Sequence, residues 1–235
     1  MNKYLSILLP HNDDELFILP FIESQISKGY LIKVFFMTYD NNPVREGESS
    51  RTFDKYKEIE TFQFGRLYNL MDGNLSKSSD IALKILLENQ LIQSSETIVC
   101  PTYEGGHVDH DEIFKISCTV ALRLQKPLIV FSLYNAYQTP FVRVATLFEG
   151  PVIGEREVIT FSLYSGFNYF KKSFFYKSQL VILLVLMPGL LKTFLFKRKI
   201  EILKVKNFDP TIPHPGKLFY ESQLKKKIKT VLGLN

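Results

Sequence analysis

Tyr4-Leu5-Ser6-Ile7-Leu8-Leu9-Pro10-His11-Asn12-Asp13-Asp14-Glu15 begins with an apolar run and ends in a turn rich in carboxylates. Tyr4–Leu9 has the length of one buried strand, and Leu16, Leu19, Ile22 and Ile26 then follow at helical spacing. The same alternation continues along the chain. Apolar runs rich in β-branched residues recur at Leu31–Met37, Thr97–Cys100 and Leu128–Leu133. Helical patterns precede the last two, with Ile81, Leu83, Ile85, Leu86, Leu91 and Ile92 in one and Ile113 to Leu124 in the other. Strands that are apolar throughout and alternate with helices predict a mainly parallel sheet with right-handed crossovers. The expected fold is a Rossmann-like three-layer α/β/α sandwich. From about Phe141 the alternation gives way to strand-like Val158–Leu163, apolar Leu180–Phe196 and strand-like Ile200–Val205. With no linker or internal repeat in view, residues 1–235 are expected to form a single domain.

With 46% hydrophobic and 23% charged residues over 235 positions, the chain can bury a substantial core and is neither disordered nor fibrous. No run of about 20 uninterrupted apolar residues occurs, which argues against a polytopic membrane protein. Cys100 and Cys118 lack any CxxC spacing, so neither a disulfide framework nor a thiolate zinc site is indicated, and a reducing compartment fits. The apolar run at Tyr4 is too short for a secretion signal, and Asp13, Asp14 and Glu15 interrupt it, so a cytoplasmic chain is expected. Charge is unevenly spread. Residues 1–164 carry 15 Lys plus Arg against 21 Asp plus Glu, whereas residues 165–235 carry 14 against 3. A basic last third beside an acidic body points to an anionic partner.

Four histidines occur in the chain, and three of them fall just after predicted strands. His11 follows the first; His107 and His110, in His107-Val108-Asp109-His110, follow Thr97–Cys100. Strand carboxyl ends face the ligand crevice of an open parallel sheet, so both segments should project into one cleft. His11, Asp14 and His110 then offer two imidazoles and one carboxylate, a set that suits zinc in a hydrolase or ferrous iron. Asp13 is left free as a general base toward the attacking water. His107 is placed as a proton donor or as a stabiliser of charge on a substrate oxygen. Asp109 would orient or charge-stabilise an imidazole. Taken singly, either segment is as well explained by helix capping or chance; together they favour a catalytic metal. His214, between Pro213 and Pro215, is read as a surface turn residue.

Pro10-His11-Asn12-Asp13-Asp14-Glu15 resembles the PHPDDE signature, and Gly106-His107-Val108-Asp109-His110 the GHxDH signature, of the N-acetylglucosaminyl-phosphatidylinositol de-N-acetylase (PIG-L, LmbE-like) family. Tyr176-Lys177-Ser178-Gln179 is a weaker match to a Y-x-S-Q segment, so the resemblance spans about residues 1–180. It implies a zinc-dependent N-deacetylase acting on N-acetylglucosamine-type sugars, with His11, Asp14 and His110 on zinc, Asp13 as base and His107 assisting the tetrahedral intermediate and leaving amine. Asn12 stands where the family usually has Pro, and Thr38-Tyr39-Asp40 lacks the Gly often found after the Thr. Altered loop rigidity and altered substrate fit are the expected consequences.

Tyr39–Ser50 follows the second strand and should rim the cleft, offering Arg45 and Arg51 to a sugar or phosphate; Tyr103 and Glu104, just before the second motif, are better placed to touch substrate. Leu180–Met187 is unbroken apolar sequence followed by Pro188-Gly189 and flanked by Lys171, Lys172, Lys177, Lys197, Arg198 and Lys199. That layout suits either a core helix or an anchor in the surface of an anionic leaflet, and Lys225, Lys226, Lys227 and Lys229 favour the second. The sugar is then expected on a lipid or other glycoconjugate carrier, with the protein peripheral on the inner membrane face. Two other classes stand beside the hydrolase. One is a glycan- or membrane-binding module whose site has decayed; the other is nucleic-acid binding, which no motif supports.

Overall fold

A computed structural model describes residues 3–135, 142–148 and 150–208. Strands β1 (Lys3–Leu9), β2 (Tyr30–Phe36), β3 (Ile59–Gln63), β4 (Thr97–Pro101) and β5 (Leu128–Phe131) pair in parallel. Two short strands, β6 (Tyr134–Asn135) and β7 (Arg143–Val144), form a separate antiparallel pair. The long strands β8 (Val152–Thr160) and β9 (Lys199–Phe208) pair antiparallel and close the main sheet on β5. The sheet order is β3-β2-β1-β4-β5-β9-β8. Helices α1 (Leu19–Ser27), α2 (Pro43–Phe53), α3 (Phe64–Leu67), α4 (Ser79–Glu88), α5 (Gln90–Gln93), α6 (Val108–Leu124), α7 (Leu163–Ser173) and α8 (Leu180–Leu191) make the connections.

The inner strands are mainly apolar because both of their faces are covered, and their buried Ser6 and Lys33 are paired with Ser95 and Ser94. In β1, Leu5, Ile7 and Leu9 face a core shared with α1, α7 and α8, while Leu8 points to the opposite core beneath α4 and α6. In β2, Ile32, Val34 and Phe36 take the first side and Phe35 the second. Each such side chain, fully removed from water, contributes about 1.5–3 kcal/mol. These two cores make the structure a three-layer α/β/α sandwich, as the alternation of strand and helix predicts.

Several segments depart from the sequence pattern. The strand expected at Val158–Leu163 ends at Thr160, and Leu163 opens α7, because Ser162 Oγ accepts the Ser165 N–H as a helix cap. Within Tyr39–Ser50 the chain is helical from Pro43, where Asn42 Oδ1 accepts the Val44 N–H and Pro43 occupies the first turn. Edge strand β3 was not anticipated; its side chains are only partly buried, so it lacks the apolar run that marks the inner strands. Pro188-Gly189 does not break α8, which continues through a π-helical turn at Lys192–Lys197. His214, Lys225, Lys226, Lys227 and Lys229 lie outside the described residues.

Candidate metal and catalytic site

The chain leaves β1 to build β2 and β3 on one side, then returns to place β4 and β5 on the other. Loops at the ends of β1 and β4 therefore diverge at the point where strand order reverses, which opens a crevice there. Pro10 is pinned to the β2 side, since its carbonyl accepts both the N–H and the Oγ1–H of Thr38 at 2.9 and 2.7 Å. Asn12 and Gln63 exchange two amide hydrogen bonds of 2.9 and 3.1 Å, so a side-chain pair with the end of β3 steadies the turn where the resembling signature has Pro.

Across the crevice, α6 begins at the second motif. Gly106 passes so close to β6 that a Cβ there would lie 2.3 Å from the Tyr134 carbonyl oxygen, a contact no other residue could accept without backbone movement. His107 then takes an extended conformation at the helix entrance, its Nδ1 accepting the Asp109 N–H at 3.2 Å.

His11 Nδ1 lies 3.2 Å from Asp14 Oδ2 and 3.3 Å from His110 Nε2, and His110 Nε2 lies 3.4 Å from Asp14 Oδ1. All three residues are buried. Ligand bonds of about 2.0–2.2 Å in a tetrahedron separate donor atoms by about 3.3–3.5 Å, close to these separations, with the two imidazoles meeting different Asp14 oxygens. His107 stands in the same cluster, its ring nitrogen near enough to join His11 and His110 around one ion. Burial resists charge on Asp14, yet the imidazoles of His110 and His11 hold its carboxyl well below the usual range. His110 Nδ1 is buried without a hydrogen-bond partner among the described residues.

The far nitrogen of His11 faces a second set of carboxylates. Nε2 lies 3.3 Å from Asp109 Oδ2 and 3.1 Å from Asp72 Oδ1. Asp109 is itself held by the N–H groups of Gly73 and Leu75, at 2.6 and 3.1 Å. A carboxylate behind an imidazole whose other nitrogen faces an ion is the arrangement that fixes tautomer and orientation at metal sites. Burial depresses the His11 pKa, but Asp72 and Asp14 outweigh it and raise the imidazole well above its ordinary value. Asp72 is a residue the sequence did not single out. It arrives because Tyr39 pairs with Met71 beyond the end of β2, the Tyr39 carbonyl accepting the Asp72 N–H at 2.9 Å.

Asp13 sits in the same pocket with φ of 131°, a backbone conformation costly for any residue but Gly. Its N–H donates to Glu15 Oε2 at 2.8 Å, and Glu15 is anchored in turn by Ser49 and by the Tyr176 hydroxyl. The strained turn separates Asp13 from Asp14: one carboxylate faces the imidazoles and the other faces Arg45, whose Nη2 lies 2.8 Å from Asp13 Oδ1. Arg45 also bonds the Asn12 carbonyl, Asp40 and Asp72. Burial raises the Asp13 pKa to about 6, with Arg45 pulling the other way. Burial likewise pushes Glu15 up to about 7. His107 is pressed down to about 3 by burial and by the neighbouring His11 and His110, so its ring is neutral. With Nδ1 accepting, the hydrogen sits on Nε2.

The pocket these residues line is small, about 90 Å³, and Phe17, Tyr134, Gln179, Ile182, Leu183 and Leu186 complete it. Of the residues expected at the substrate, Arg45 lines this pocket but is committed to carboxylates. Arg51 is exposed on α2 and is not among the lining residues. Tyr103 stacks on Phe114 and lines a different cavity, of about 280 Å³, with Leu147, Val152 and Arg156. Glu104 is fully inside the fold, accepting from Ser132 Oγ and from the Leu133 and Tyr134 N–H groups. It shapes the wall that carries Tyr134 and cannot reach a substrate. Tyr176 and Ser178 of the weaker motif brace Glu15 and Glu48 from behind, and Gln179 alone of that motif reaches the pocket.

No protein family and no curated protein sequence matches the chain. Solved structures do match it. The deacetylase of the A40926 pseudoaglycone, Dbv21, superposes with a TM-score of 0.64 at 15% identity, over 88% of this chain and 98% of that one. The zinc-inhibited form of teicoplanin deacetylase gives 0.62 at 13% identity, over 89% and 100%. The N,N'-diacetylchitobiose deacetylase of Pyrococcus horikoshii gives 0.50 at 15%, over 80% and 75%. The chain has the fold of these deacetylases. At such identities the likeness establishes architecture, and chemistry rests on the side chains described above.

Proposed function

We propose that this protein is a metal-dependent hydrolase that removes the N-acetyl group from an N-acetylglucosamine-type sugar. The observation that carries the reading is the 3.2–3.4 Å spacing among His11 Nδ1, His110 Nε2 and the Asp14 carboxylate, whose Oδ2 faces His11 and whose Oδ1 faces His110, with Asp13 beside them but turned toward Arg45. The deacetylases that share the fold support it, one of them acting on a chitobiose derivative by its name.

His11, Asp14 and His110 would hold the ion, zinc being proposed and ferrous iron the alternative that metal analysis separates. A divalent ion there supplies Lewis-acid chemistry, acidifying a water and polarising the amide carbonyl. Asp13, with a pKa near 6, is ionised at neutral pH and takes a proton from the attacking water as its oxygen bonds to the carbonyl carbon. His107 Nε2–H donates to the oxygen on which negative charge develops. The C–N bond then breaks, Asp13 returns its proton to the departing nitrogen, and acetate and a free amine result. Asp109 and Asp72 keep His11 oriented while this occurs.

A lipid or other glycoconjugate carrier for the sugar is part of the proposal, and the two free cysteines, Cys100 and Cys118, support a reducing cytoplasmic setting. The alternative, a binding module with a decayed site, is disfavoured because every donor is in place. Acetate release from soluble nucleotide-linked and lipid-linked N-acetylglucosamine compounds tests the reading. Release that chelation abolishes and added zinc or ferrous iron restores is the expected result. Metal-loaded protein that binds these compounds yet releases nothing would instead support the binding module.

A further inference from the structure

One surface of the molecule has no role in the chemistry above. Lys177–Lys197 forms a helical stretch long and apolar enough to cross a bilayer by length and composition. It does not stand free of the fold, however. Leu183, Leu186, Leu190 and Phe194 are buried in the core on the α1 side of the sheet, and drawing the helix across a membrane would strip them out. Its opposite side is bare: Leu180, Leu184 and Phe196 are 50%, 58% and 77% exposed. On the neighbouring α7, Leu163, Tyr164 and Phe167 are likewise more than half exposed. Large apolar side chains left to water on two adjacent helices mark an interaction surface.

Charge identifies the occupant. Between Val158 and Ile200 the chain has seven Lys or Arg and no Asp or Glu. Lys171, Lys177, Lys192 and Lys197 are exposed, and none makes an ion pair among the described residues. Lys172 differs, being turned inward to the Thr52 carbonyl and Tyr56. An apolar strip bordered by unpaired cations, on a helix lying flat along the fold, complements an anionic lipid surface and not a neutral protein face.

We propose that the outer faces of α7 and α8 dock this protein onto an anionic phospholipid bilayer, with α8 lying in the membrane plane. Gln179, Ile182, Leu183 and Leu186 of the same stretch line the pocket that holds His11, Asp13 and Asp14. The helix that meets lipid is thus also a wall of the pocket that holds the proposed site, which would bring that site close to a lipid-carried substrate. Docking is independent of the hydrolase reading, because it is measured as binding.

The chain contains no Trp, so single tryptophans report their own surroundings. Leu184→Trp and Phe167→Trp place one on each helix of the docking face; Leu122→Trp places one at an 80% exposed site on α6, on the other side of the sheet. Full-length protein is mixed with phosphatidylcholine vesicles with and without phosphatidylglycerol, and circular dichroism checks that each variant is folded. With the anionic vesicles, emission of the first two should shift to the blue and that of Leu122→Trp should not. Replacing Lys171, Lys192 and Lys197 by Gln should weaken binding about 100-fold, at about fivefold for each cation near an anionic surface. Absence of vesicle binding overturns the proposal, as does binding in which the α7 and α8 probes stay unshifted. So does a blue shift that appears without vesicles and tracks dimer formation, which would assign the face to a second copy of the chain.

Discussion

Arg45 Nη2 lies 2.8 Å from Asp13 Oδ1, so the cation expected to meet substrate instead holds the carboxylate proposed as base. Asp13 is poised near pH 6 by burial acting against this pairing. Removing the guanidinium takes away the largest interaction that opposes burial, leaving only the weaker pull of His11, and raises the Asp13 pKa. Arg45→Gln should therefore shift the acid limb of kcat/KM, which lies near pH 6 in the parent, upward by about one unit or more. An unchanged limb would mean that Asp13 is not the group whose ionisation is being read.

Glu104 yields a prediction on stability rather than catalysis. Burial raises its pKa from the ordinary 4.5 to about 8. Between those values the folded chain keeps a proton that the unfolded chain has released, so stability is full below pH 4.5 and falls as pH rises toward 8. The slope is at most about 1.4 kcal/mol per pH unit. Glu104→Gln should flatten it, as measured by urea unfolding at pH 5 and pH 8. Equal pH dependence in parent and variant would show that Glu104 titrates normally.

Asn12 and Gln63 bind each other through both amide groups, and the energy of that pair should be non-additive. Asn12→Ala and Gln63→Ala are each expected to cost about 1 kcal/mol of stability, and the double variant little more than either alone. Additive losses would mean that the pair does not fasten the turn to β3.

Gly106→Ala should be tolerated poorly, because its Cβ would lie 2.3 Å from the Tyr134 carbonyl oxygen. Relieving that overlap has to move either β6 or the entrance of α6, and with it His107. A stability loss of about 1–3 kcal/mol together with weakened metal binding is expected; a variant with parental metal affinity would show that the approach is dispensable.

How much of this was legible in the sequence depended on how each residue reaches the site. His11, Asp13, Asp14, His107, Asp109 and His110 are legible because they lie in the segments that leave inner strands with strong apolar runs. Asp72 is not, since it arrives by way of edge strand β3, whose polar and half-buried residues carry no strong pattern, and a single bridge between Tyr39 and Met71. Arg45 is legible as a cleft residue but its partners are not, because they follow from the helix that Asn42 and Pro43 start, which points the guanidinium inward. Glu104 looked like a substrate contact from its place beside the motif, and only the fold brings Ser132, Leu133 and Tyr134 around its carboxylate. The apolar segment at Leu180–Phe196 was read as either core or lipid-facing; in the structure one side of the helix is core and the other is exposed.

Bound metal per chain, measured alongside acetate release in the parent, Asp13→Asn and Asp14→Asn, tests most directly the division of labour between two adjacent carboxylates. Asp13→Asn should hold one ion and release no acetate, whereas Asp14→Asn should hold none. An active Asp13→Asn, or an Asp14→Asn that keeps its ion, would contradict the assignment of base and ligand on which the hydrolase reading stands.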